Sequence, residues 1–177
     1  MIQVRPFQEQ DSTQVGILIA DCFSQYNLEQ MEQTEKPAYL GPFYNVRSSD
    51  PAHKQQIAIL IQAPIILVAQ NEKGQICAVL RATHDRILTL CVHDFYFFQN
   101  IGRQLLEEYE LRMHKKGVDN VKVAAPLYSI AFYLRMGYKR STGIRNTLTF
   151  PNGSLPCQPM KKRIAAAQPN LPFQEGV

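Results

Sequence analysis

The stretch from Leu88 to Tyr109 constrains this chain more than any other: Leu-Thr-Leu-Cys-Val-His-Asp-Phe-Tyr-Phe-Phe-Gln-Asn-Ile-Gly-Arg-Gln-Leu-Leu-Glu-Glu-Tyr. It opens as an apolar strand, turns through a short aromatic segment carrying Asn100 and Gly102, and continues as a helix. Ile101, Leu105, Tyr109 and Met113 recur on one helical stripe, while Arg103, Glu107, Glu108 and Arg112 fall elsewhere. The turn thus delivers the chain into a helix N-terminus. Unpaired N–H groups and the positive end of a dipole there bind a phosphate without a charged side chain. Gly102 lets a bulky anion approach the backbone. The plainer alternative is a tight strand-to-helix turn.

The rest of the chain supplies a framework for that unit. Ile2 to Phe7 alternates as a first strand; Asp11-Ser-Thr-Gln14 reads as a capping-box-like start, with Val15, Leu18, Ile19, Cys22 and Phe23 on one helical stripe. Asn27 to Asp50 has no period and is expected to be a long loop holding one short helix. Loops of this length tend to be functional lids or mobile, and Tyr39, Phe43 and Tyr44 can also pin this one to the core. Asp50-Pro51 opens a helix to about Gln62. Ile65 to Gln70 and Gln75 to Thr83 form a hairpin around Asn71-Glu-Lys-Gly74, and His84-Asp85-Arg86 turns into the fourth strand.

The phosphate-binding helix is expected to stop at Gly117 after Lys115-Lys116. Asn120 to Ala125 follows as a fifth strand, Tyr128 to Met136 as a short helix closed by Gly137, and two strands flank a Pro151-to-Ser154 turn, the second from Leu155 to Ile164. This order predicts an α+β fold with a mixed, mostly antiparallel sheet, in which only the fourth-strand, helix, fifth-strand unit is parallel.

With 177 residues, 45% of them hydrophobic, one domain from 1 to 164 is expected, with a weakly ordered tail from 165 to 177. The formal charge is +4 and the pI near 8.9, but the basic residues are dispersed and no stripe interleaved with aromatics argues for nucleic acid. Cys22, Cys77, Cys91 and Cys157 lie far apart, so buried reduced thiols are expected and no metal. No signal peptide or membrane span is visible, and a cytoplasmic protein is the expectation.

The run from Val92 to Leu106 resembles the pyrophosphate-binding segment of the GCN5-related N-acetyltransferases (GNAT), usually Gln/Arg-x-x-Gly-x-Gly/Ala. Phe97 takes the Gln/Arg position, Asn100 the first Gly and Gly102 the second. Phe97 is a departure that removes a polar side chain but keeps its N–H. Asn100 departs less, because Asn enters the left-handed region more readily than other residues with a side chain. Val123 to Lys139, with Phe132-Tyr133, Gly137 and Tyr138, is similar to the family's second signature, and Gln158-Pro-Met-Lys-Lys162 to its last strand.

This resemblance implies a sheet with helices on both faces, splayed between strands four and five, and acetyl-CoA as cosubstrate with an amine acceptor. The cofactor would lie against Leu90, Cys91, Val92 and the segment Phe97, Phe98, Gln99, Asn100, Ile101, Gly102 and Arg103. Tyr133 aligns with the family tyrosine that protonates the departing thiolate. For a base, Asp85 and His84 are candidates, with His93 a third and water a fourth. Two other classes stay open: a non-catalytic module of the same fold that binds acyl-CoA or has lost it, and a structural or homodimer-forming domain.

Overall fold

A computed structural model describes residues 1–150 and 153–164. Pro151 and Asn152 of the expected turn, and the tail from 165 to 177, lie outside the described residues. The strands are β1 (Gln3–Pro6), β2 (Ile65–Gln70), β3 (Ile76–Ala82), β4 (Arg86–Val92), β5 (Asn120–Pro126), β6 (Lys139–Arg140), β7 (Arg145–Phe150) and β8 (Gly153–Arg163). They form one sheet in the order β1-β2-β3-β4-β5-β8-β6, with β7 also on β8. Every pairing is antiparallel except β4 with β5.

Helices cover both faces. On one, α1 (Ser12–Cys22) and α3 (Pro51–Leu60) bury Val15, Leu18, Ile19, Cys22 and Ile57 with Val68, Val79 and Cys91. Gly16 permits the close approach of these two helices, since a Cβ there would sit 2.5 Å from Ile57 Cγ2. On the other face, α4 (Ile101–Lys115) buries Ile101, Leu105, Leu106, Tyr109 and Met113 against β2, β3 and β5, beside Tyr133 of α5 (Ile130–Arg135). The stripe read from sequence is the stripe that packs, and Gly117 follows the helix with φ +79°.

The segment from Asn27 to Asp50 holds the one short α-helix expected, α2 (Lys36–Leu40), followed by a 3₁₀ turn (Gly41–Asn45), and a π turn (Phe23–Asn27) leads into it from α1. There Phe43 packs on the α1 core while Tyr44 is half exposed. The capping box, however, lies one turn upstream. The Gln8 N–H donates to Asp11 Oδ2 at 2.8 Å, Arg5 grips both Asp11 oxygens at 2.7 and 2.9 Å, and Gln14 accepts from Ile76 N on β3. Asp11 is thus drawn to β1 and the residue before its own turn, and Gln14 to a partner distant in the chain.

Burial alone would raise the Asp11 carboxyl, but the Arg5 guanidinium and the Gln8 N–H outweigh it and hold it below the usual carboxylate range. A carboxylate depressed in the folded state adds stability above its unfolded pKa and loses it as pH falls through the folded one. The melting temperature is expected to drop on acidification below about pH 4, and less steeply in Asp11→Asn. Calorimetry across that range checks it; superimposable acid limbs would show that this pair contributes nothing.

Candidate functional site

β4 carries a bulge that reorganises the sheet beside it. Its register to β3 slips between Arg81, opposite Thr89, and Ala82, opposite Ile87, leaving Leu88 as the extra residue. Side-chain parity changes across the slip: Ile87 faces the α4 core, Cys91 the α1 core, and Leu90 and Val92 the α4 side. β4 and β5 are bonded only at Arg86 with Lys122 and Ile87 with Val123. Beyond that point they diverge, and a slot opens between Leu88–Val92 and Ala124–Pro126.

Backbone alternation decides which groups face this slot. The His93 N–H donates to Cys77 O at 2.8 Å, so His93, Cys91 and Thr89 turn their polar groups to β3, and Leu90 and Val92 turn theirs to the slot. The Cys91 N–H therefore belongs to the β3–β4 ladder, whereas those of Leu90 and Val92 do not. The Cys91 thiol faces Cys22 instead; that hydrogen bond and burial push it well up, so it stays a thiol. All four cysteines are buried and free.

At the end of β4 a 3₁₀ turn (Asp94–Tyr96) leads to Phe97 and then to α4. Phe98 and Asn100 both have φ +61°. Asn is a favoured N-cap, yet the left-handed backbone of Asn100 leaves its side chain without a capping bond. The N–H groups from Phe98 to Arg103 therefore have no hydrogen-bond partner among the described residues; the first bond of the helix is Gln104 N to Asn100 O. This cradle continues the slot, because a Cβ on Gly102 would lie 3.4 Å from Val92 Cγ2 and 3.7 Å from the Phe132 ring.

Tyr133 is 4% exposed, with its ring edge-on to Phe132 at 5.1 Å and to Tyr138 at 5.4 Å. Burial, with Cys91 close by, pushes its phenol up, so the hydroxyl keeps its proton. The structure does not bring Asp85 or His84 to it. Asp85 is ion-paired to Lys122 at 2.9 Å, at the closed end of the β4–β5 pairing, and that bond holds its carboxyl low. His84 is exposed, and its carbonyl accepts from Tyr109 Oη. Five residues at about 3.3 Å each separate Asp85 from Leu90, roughly 16 Å of strand. Both residues lie in the turn that starts β4.

Sequence reasoning did not find the aromatic bridge over the slot. Tyr26, on the π turn, lies 5.5 Å from Phe97 and 5.7 Å from Tyr128, centroid to centroid, and Tyr128 donates to Asn27 Oδ1 at 3.2 Å. Residues from the end of α1, the cradle and the end of β5 are thus joined. The π turn has no sequence period to betray it. A cleft of about 290 Å³ adjoins this bridge, lined among others by Tyr26, Val92, His93 and Asp94. His93 Nδ1 stands 2.8 Å from Asp94 Oδ1. No group of three or more potential metal-ligating side chains occurs among the described residues, and no helix is long and apolar enough to cross a membrane.

A family model described as an acetyltransferase (GNAT) domain matches residues 21–164. A search of curated proteins finds no match. Among solved structures, a GCN5-related N-acetyltransferase from Rhodopseudomonas palustris superposes with a TM-score of 0.71 at 16% identity, covering 91% of this chain and 94% of that one. The PaiA N-acetyltransferase of Thermoplasma acidophilum, in complex with coenzyme A, gives 0.65 at 17% identity over 92% and 99%. The ribosomal-protein-S18-alanine N-acetyltransferase of Escherichia coli gives 0.58 at 20% over 98% and 100%. Identities this low speak for the fold alone.

Proposed function

The chain belongs to the GNAT acetyltransferase family, and from that premise we propose that it transfers acetyl from acetyl-CoA to a primary amine by direct attack within a ternary complex. The observation that carries this reading is the continuity of an open main-chain surface. Leu90 and Val92 present N–H groups to the slot, and the N–H cradle from Phe98 to Arg103, which follows the 3₁₀ turn in the chain, adjoins Val92 at Gly102. An extended ligand with a thioester at one end and a pyrophosphate in the middle fits that sequence of donors.

In this scheme the Leu90 or Val92 N–H holds the thioester oxygen as charge develops on it. The amine enters from the cleft lined by Tyr26, Val92, His93 and Asp94. Its nitrogen bonds to the acyl carbon, the carbon–sulfur bond breaks, and Tyr133 gives its proton to the departing thiolate and is at once reprotonated from the water that takes the amine proton. The nitrogen loses its proton to water, with His93, beside Asp94, among the ionisable side chains on that route. Four free thiols are in keeping with a reducing, cytoplasmic setting.

The rival is a module of this fold without catalysis, and the aromatic bridge across the slot favours it. Asn100 does not. Its left-handed backbone is already present without ligand, so its strain lowers stability rather than affinity. Phe97 packs toward Tyr26 and not over the cradle. Calorimetric titration is therefore expected to find wild-type binding of acetyl-CoA, tightened by about tenfold or less in Phe97→Gln with Asn100→Gly, that is, by at most about 1.4 kcal/mol. Binding seen only in the double variant would establish the rival.

A further inference from the structure

Phe98 is 98% exposed and holds φ +61°. A single exposed apolar residue needs no explanation, but a bulky one held in the left-handed region does, because that conformation costs energy and persists only where its surroundings enforce it. The neighbouring ring makes the contrast: Phe97 turns in toward Tyr26 and the slot, whereas Phe98 stands edge-on to Phe97, at 6.3 Å and 82°, and turns to solvent. Phe98 is also the first residue of the N–H cradle.

Resting on the cofactor reading above, we propose that the Phe98 ring is the platform on which the adenine base of acetyl-CoA stacks. The pyrophosphate lies in the middle of that molecule, with the pantetheine arm on one side and the nucleotide arm on the other. With the phosphates on the cradle and the thioester arm in the slot past Phe97, the nucleotide arm leaves toward solvent, on the side to which Phe98 turns. Only a ribose separates base from phosphate, so the base arrives beside the first residue of the cradle. The left-handed backbone keeps the ring outward and unpacked, ready to accept a flat partner. Stacking of a base on an aromatic side chain tolerates any ring geometry that offers a π-face, and needs no polar partner.

The test compares two ligands by calorimetric titration: acetyl-CoA, and S-acetyl-4′-phosphopantetheine, which keeps the thioester arm and lacks the nucleotide. Phe98→Ala is expected to weaken acetyl-CoA binding about tenfold and to leave the truncated ligand unchanged, while Phe98→Tyr retains wild-type affinity for both. Equal weakening of both ligands would assign Phe98 to holding the loop and overturn the inference, as would no change for either. A wild-type protein that binds neither ligand overturns the cofactor reading, and this inference with it.

Discussion

Replacing Tyr133 by Phe is expected to slow acetyl transfer about a hundredfold, the lower end of what a positioned acid contributes, with acetyl-CoA affinity nearly unchanged. The ring of Tyr133 is packed edge-on between Phe132 and Tyr138, and Phe preserves that packing. What is lost is a hydroxyl that burial keeps protonated beside Cys91. A proton needed only as the thiolate leaves acts in the transition state, so its absence lowers kcat rather than raising KM. Steady-state rates with any competent amine, alongside a binding titration, separate the two. A turnover equal to wild type would leave Tyr133 as a packing residue.

Gly102→Val is expected to abolish most of the thermal protection that acetyl-CoA confers. At about a hundred times Kd, a ligand stabilises by about 2.7 kcal/mol, a rise of about 5 to 10 °C for a domain of this size. A Cβ on Gly102 would already touch Val92 and Phe132, at 3.4 and 3.7 Å, on the side where the slot meets the cradle. The branched methyls of Val must then displace one of these neighbours and narrow that junction. Gly102→Ala, whose single methyl sits at ordinary contact distance, should keep much of the protection. Because protection is the difference between melts with and without ligand in the same variant, any loss of intrinsic stability cancels. Equal protection of wild type and Gly102→Val would place the ligand elsewhere.

Much of the fold was legible because its signals are local. The stripe of Ile101, Leu105, Tyr109 and Met113, the Asp50-Pro51 start and the Gly117 stop each depend on a few neighbouring residues, and the helices begin and end there. Cap chemistry was less readable. Asp11 and Gln14 satisfy partners on other elements, and Asn100 occupies an N-cap without capping. The resemblance makes Asp85 a candidate base at the start of β4, but its partner Lys122, thirty-seven residues on and at the closed end of the β4–β5 pairing, is not legible in the sequence.

The sequence by itself determined the strand–turn–helix unit, the helix that follows it and the α+β order, since periodicity and turn residues act over short spans. The tertiary structure alone decided the rest. The bulge at Leu88 puts Ile87 and Cys91 on opposite faces, the departure of β5 after Ile87 opens the slot, and Tyr26 closes over it from the end of α1. Each of these depends on register between segments far apart in the chain. A one-residue slip reverses every side chain and leaves the local pattern unaltered.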